Sequence, residues 1–179
     1  ISTATEYIHV FEDIGGSSLY DVLLNQKISI QDALALTLDL LKALESIHRS
    51  NIIHADINPK NIIYNPKTRD VQPIDFGYSL YKEHLYSDTS KKTISSGNLL
   101  YMSPEQTGLT QEPMDIRSDL YSLGMTLYHL FLGHIPFDAK NRYELTHKQV
   151  AFNPTPLHTL DINIPLVISQ IVEKLIHKN

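Results

Sequence analysis

His54-Ala55-Asp56-Ile57-Asn58-Pro59-Lys60-Asn61, followed after a hairpin-sized gap by Asp75-Phe76-Gly77, is the stretch whose reading decides the fold. Within and beside it lie short runs of β-branched residues, Ile52-Ile53, Ile62-Ile63-Tyr64 and residues 71–74. Asn58-Pro59 and Asn65-Pro66 separate them, and Asn-Pro pairs initiate turns. Small strands joined by ordered loops are therefore expected here. Upstream, Ser29 with Asp32 three residues on gives a capping-box-like start. Leu34, Leu40, Leu41, Leu44, Ile47 and His48 then keep helical spacing to about Ser50. Downstream, residues 116–132 are apolar on nearly every face, which predicts a helix buried in the middle of the domain with Gly133 as its stop.

Further out the pattern weakens. Residues 7–12 alternate and read as a strand ended by Gly15-Gly16, and a short helix is expected over residues 18–25. Residues 79–96 are polar, rich in hydroxyls and lysine, and predict a long mobile loop. The tail has Pro165 at a helix start, with Ile168, Ile171, Val172, Leu175 and Ile176 at helical spacing, and looks cut at Asn179. No internal repeat is present.

Bulk properties exclude several classes. The 179 residues, 42% apolar, suffice for one core and are too few for two ordinary domains. A net charge of -5 provides no field to draw in nucleic acid or an anionic membrane. Zero cysteines rule out a disulfide framework and a thiolate metal site, and suit a cytoplasmic location. No apolar run is long enough to span a bilayer. The nine histidines form no helical metal-binding pair and read as ordinary polar residues.

The ordered set of motifs resembles the protein kinase family over essentially the whole chain. Residues 54–61 look like its catalytic loop and Asp75-Phe76-Gly77 like its metal-binding motif. Tyr101-Met102-Ser103-Pro104-Glu105 is similar to its Ala-Pro-Glu segment end. Residues 118–124 resemble the start of its buried central helix. Asn58-Pro59 and Ser103-Pro104-Glu105-Gln106 further resemble bacterial serine/threonine kinase domains at the front of multidomain sensor histidine kinases. The resemblance implies an α+β, mainly α-helical fold: a kinase-like C-terminal lobe with small β-hairpins, the N-terminal lobe being missing. Residues 1–14 would be the last N-lobe strand and hinge, and residues 15–179 the C-lobe of one partial domain.

The resemblance also implies roles. Phosphoryl transfer asks the protein mainly to position charge. Asp56 would orient the substrate hydroxyl and accept its proton, and Asn61 and Asp75 would bind magnesium, which prefers hard oxygen ligands. Backbone groups of Glu12 and Ile14 would pair with the adenine edge of ATP beside Phe11, with Ile63 and Ile74 as the pocket floor. Asp119 would hold the catalytic loop from below, and His54 would be structural. A protein substrate, ATP, Mg2+ and further domains of the same chain are the implied partners. Lys60 reads as a solvated charge at least as readily as a phosphate contact, and Lys91-Lys92 reads as a solvated pair ahead of one that steers an acidic substrate.

Three departures from the family pattern carry consequences. Ala55 stands where most members have the arginine that receives an activation-loop phosphate, so phosphorylation of Ser87, Thr89, Ser90, Thr93, Ser95 or Ser96 is expected to be dispensable by that route. Asn58 replaces the usual lysine, and Asn98 follows Gly97 where a threonine is usual. A missing electrostatic contact of this kind costs on the order of 100- to 1000-fold in rate. A pseudokinase or nucleotide-binding regulatory module is therefore the alternative reading. No glycine-rich loop precedes Tyr7, so these residues alone are expected to be inactive. A small-molecule phosphotransferase shares the Asp56, Asn61 and Asp75 pattern but lacks the Ser-Pro-Glu segment. Glu105, whose family partner arginine lies beyond Asn179, is expected to be unpaired.

Overall fold

A computed structural model describes residues 12–82 and 98–178. The strand expected over residues 7–12 lies outside them except for Glu12, as do Gly97, the expected phosphorylation sites and Lys91-Lys92. Helices dominate, with two small antiparallel sheets, in keeping with the α+β expectation.

The first two helices begin alike. In α1 (Leu19–Asn25), Ser18 Oγ accepts from Asp21 N–H at 3.1 Å and donates to Asp21 Oδ2 at 2.6 Å. In α2 (Ile30–Arg49), Ser29 does the same with Asp32, at 3.1 and 2.7 Å. Each pair satisfies an orphan helix N–H and puts a carboxylate at the positive end of the helix dipole. Ala33, Leu36, Leu40 and Leu44 form the buried stripe of α2, which faces α3, β2 and β4. Burying each of these leucines contributes about 1.5–3 kcal/mol.

Strands β1 (Ser17–Ser18), β3 (Ile62–Tyr64) and β4 (Val71–Pro73) form one sheet in the order β1-β3-β4, with Ser18 opposite Ile63 and Ile63 opposite Gln72. Strand β2 (Ile52–Ile53) pairs with β5 (Leu80–Tyr81) in the other. The loop expected from Ser79 thus begins as a strand, because Leu80 and Tyr81 find an open edge at Ile53 and Ile52. Periodicity over two residues could not reveal that pairing. Pro73, which has no N–H to donate, sits in the terminal strand of its sheet.

Helix α3 (Ile116–Leu132) is the buried centre expected of it. Asp115 caps its start, and Gly133, at φ +77° in the left-handed region, ends it with its N–H on His129 O. Helices α4 (Arg142–Ala151), α5 (Leu157–Leu160) and α6 (Leu166–Leu175) complete the described fold. Helix α6 packs against α3 at Gly124, where an added Cβ would lie 2.6 Å from Ile176 Cγ2. Only glycine permits that approach without displacing the following turn. Helix α4 was not foreseen, since over its whole length it buries only Leu145 and Gln149.

Candidate active site

The loop of residues 52–61 is held from beneath by one carboxylate. Asp119, fully buried in the first turn of α3, accepts the N–H of His54 at 2.9 Å and of Ala55 at 2.7 Å. His48 Nε2, from the last turn of α2, lies 2.8 Å from the same carboxylate. Ala55 has φ +64°, a left-handed conformation that costs a non-glycine residue about 1–3 kcal/mol. Bonds at both ends of its peptide stabilise that conformation: its N–H goes to Asp119, and its carbonyl accepts from Gln106 Nε2 at 2.7 Å. Gln106 Oε1 in turn accepts from the N–H and hydroxyl of Ser103, both at 3.0 Å.

That reversal at Ala55 presents Asp56 to a ring of donors. Asn61 Nδ2 donates to Asp56 Oδ2 at 2.6 Å and to its carbonyl at 3.0 Å. Asn58 Nδ2 donates to Asp56 Oδ1 at 3.0 Å, and the Asn98 N–H reaches the same oxygen at 3.4 Å. Burial pushes the Asp56 carboxyl above its usual range, while these donors pull it down. Asn58 is itself buried, and its Oδ1 accepts the Lys60 N–H at 3.0 Å to start the 3-10 turn Pro59–Asn61.

His54 links this loop to the second motif. Its Nδ1 accepts the Asp56 N–H at 3.4 Å, which assigns the proton to Nε2, 3.1 Å from the Ile74 carbonyl. Burial lowers its pKa, so the ring is held neutral, and it lies 4.6 Å from the Phe76 ring. This agrees with the structural role expected of His54. The Ile74 N–H donates to the Asn61 carbonyl at 2.9 Å, so the residue before Asp75 is fastened to the loop that carries Asp56. Asp75 itself is exposed, left-handed at φ +64°, and accepts the Gly77 N–H at 3.2 Å through Oδ1.

Asp56, Asn58 and Asn61 are thus joined directly, and Asp75 through Ile74. Ile63 and Ile74 are both partly exposed. Glu12 is exposed, and the Ile14 carbonyl accepts from Asn65 Nδ2 at 2.8 Å. Among the described residues no group of three or more His, Asp or Glu side chains is placed to hold a metal ion. The donor chemistry fits magnesium nonetheless. The Asn61 amide nitrogen is spent on Asp56, so its Oδ1 faces the other way, and Asp75 Oδ2 has no hydrogen-bond partner among the described residues. Both are hard oxygen donors.

Glu105, expected to lack its cation, forms no ion pair with a described residue, but Ser118 Oγ donates to its Oε1 at 2.5 Å. A hydroxyl at the start of α3 satisfies the carboxylate locally, which a search for a cationic partner overlooks. Sequence reading also missed Gln106 and His48. The Ser103-to-Gln106 spacing, three residues apart, was the available sign of the first.

The family model for the protein kinase domain matches residues 1–179. A probable serine/threonine-protein kinase of Clostridium acetobutylicum is 29% identical over 171 residues, covering 94% of this chain and 25% of that protein. The serine/threonine-protein kinase pkn2 of Myxococcus xanthus is 34% identical over 151 residues, covering 83% of this chain and 18% of that protein. Hybrid signal transduction histidine kinase G of Dictyostelium discoideum is 27% identical over 219 residues, covering 85% and 6%. The chain spans a quarter or less of the length of these three relatives. With residues 1–179 matched by that family model, the chain belongs to the protein kinase domain family.

Proposed function

We propose that the chain is the catalytic-loop portion of a serine/threonine protein kinase that moves the γ-phosphoryl group of ATP to a protein hydroxyl. The observation that carries this is the Asp56 carboxylate, half-buried and aimed by the amides of Asn58 and Asn61. In this reading Asp56 orients the acceptor hydroxyl and takes its proton. Its upward-shifted pKa brings it closer to neutrality than a free carboxylate, which favours general-base work. Asn61 and Asp75 would hold magnesium, which would supply positive charge against the phosphate. Ile63 and Ile74 offer the adenine an apolar face, and backbone groups of Glu12 and Ile14 offer its edge hydrogen bonds. For Ile14 the group left for this is the N–H, since its carbonyl is engaged by Asn65. Serine and threonine acceptors are supported by the kinases named above. We place the activity in the cytoplasm, where ATP is supplied, and within a longer protein whose further domains carry the signal.

A second reading rests on Asn58. A neutral, buried amide stands where a phosphate-neutralising lysine is usual, and both its polar atoms are engaged within the loop. A pseudokinase, or a module that binds nucleotide with little transfer, follows from that.

The test is magnesium-dependent transfer of labelled phosphate from ATP to a protein substrate by the full-length protein. Asp56→Ala is expected to lower transfer by about 100- to 10,000-fold, the usual contribution of a positioned proton acceptor. No transfer from either protein, with nucleotide binding intact, would establish the second reading. In that case a gain on Asn58→Lys would identify the missing cation as the cause.

A further inference from the structure

Lys60 lies next to the proposed phosphoryl-transfer site and is not used by it. Its backbone is fastened there: the Lys60 N–H is bonded to Asn58 Oδ1, and Asn58 Nδ2 is bonded to Asp56 Oδ1. Its side chain is exposed, with Nζ held 5.1 Å from the centre of the Tyr20 ring on α1. A cation over an aromatic face is attracted without being neutralised, so its charge stays available. Lys42, Arg49, Arg69, Arg117 and Lys148 differ, since each is paired with a carboxylate. Lys60 forms no ion pair with a described residue. Asp21, the carboxylate of α1, is engaged by the Ser18 hydroxyl at 2.6 Å.

We infer that Lys60 is a specificity-determining residue: held on Tyr20 beside Asp56, it selects peptide substrates with an acidic side chain near the acceptor hydroxyl. The inference rests on the reading of Asp56 as the group that meets that hydroxyl. Geometry bounds the separation. Four peptide steps lead from Asp56 to Lys60, so their Cα atoms are at most about 15 Å apart, or about four to five residues of an extended peptide. Because the pair is at the surface, its effect is modest: an exposed ion pair corresponds to about two- to five-fold in affinity, and salt screens it.

The experiment uses the full-length protein and three serine peptides carrying aspartate, alanine or lysine at every position within four residues of the acceptor. Phosphorylation efficiency (kcat/KM) and peptide affinity, by fluorescence anisotropy, are both measured at low salt. The wild type is expected to favour the aspartate peptide over the alanine peptide by at least about two-fold and to disfavour the lysine peptide. Lys60→Ala removes the preference, and Lys60→Glu reverses it. Equal treatment of the peptides by the wild type, or the same preference in Lys60→Glu as in wild type, overturns the inference. If no peptide is phosphorylated but anisotropy shows the aspartate preference and its reversal, the docking role of Lys60 stands and the kinase reading fails.

Discussion

The 54–61 loop and the Asp75 turn are neighbours of opposite construction. Residues 54–56 are tied to Asp119, Gln106, Asn58 and Asn61, and His54 and Asp119 are fully buried. Asp75 is exposed, and its carboxylate has one hydrogen bond among the described residues, to Gly77 N–H at 3.2 Å. Both carry a left-handed non-glycine residue, at φ +64° in each case. In the loop that strain is over-determined by hydrogen bonds. In the turn it is met by an aspartate, a residue type that tolerates the conformation. The contrast separates two constructions: the Asp56 carboxylate is held on both oxygens by amides of its own loop, whereas Asp75 Oδ2 has no hydrogen-bond partner among the described residues.

The comparison breaks first at Asp119, where the largest stability effect is expected. Asp119→Ala leaves the buried N–H groups of His54 and Ala55 without acceptors, at about 1–3 kcal/mol each, so a loss of about 2–6 kcal/mol is expected in urea unfolding. A loss below about 1 kcal/mol would show that the loop is not held from beneath. Gln106→Ala comes next. It strips the Ala55 carbonyl and the Ser103 N–H of their partners, at about 1–3 kcal/mol each, but leaves the Asp119 bonds beneath the loop intact, so a loss of about 2–6 kcal/mol is the upper range expected by the same measurement. Asp56 should lose its aim as well, so transfer by Gln106→Ala should fall further than the unfolded fraction explains.

Acidification sharpens the comparison less drastically. His54 and His129 are held neutral by burial, with pKa values below the ordinary 6.5. The unfolded chain therefore binds more protons than the native one between the lowered values and 6.5, and stability falls as pH drops through that window. Asp56, shifted upward, acts in the opposite sense: it favours the native state as pH falls from its raised value towards 3.8. Urea midpoints are expected to decline from about pH 7 to about pH 5, and His54→Gln is expected to flatten that decline in part, leaving the share of His129. A midpoint unchanged across the range would mean that neither ring is held neutral.

Much of this was legible in the sequence wherever local chemistry decides structure. The Ser29–Asp32 start of α2, the all-round apolar α3 with Gly133 after it, and Pro165 before α6 each name their element by residue type and spacing. Asp56, Asn61 and Asp119 were readable only because several weak motifs stood in a fixed order. What escaped depends on partners distant in sequence. Leu80-Tyr81 becomes a strand only because Ile52-Ile53 lies alongside, and Gln106 matters only because the Ala55 carbonyl, 51 residues earlier, needs a donor. The hydrogen bond of Glu105 escaped for a related reason, since its donor is a hydroxyl 13 residues along.

The smallest stability effect is expected at Asp75, and there the two regions should part most clearly. Asn tolerates the left-handed conformation nearly as well as Asp, and its Oδ1 can still accept the Gly77 N–H, so Asp75→Asn preserves the turn. The side chain is exposed, so the change should shift stability by no more than about 0.5 kcal/mol in urea unfolding. What it removes is the negative charge. Magnesium-dependent nucleotide binding by the full-length protein is therefore expected to weaken while the fold is unaffected, the reverse of the pattern for Asp119→Ala. A destabilisation above about 1 kcal/mol would place Asp75 among the structural residues of the site and erase the division between a prefixed loop and a ligand-completed turn.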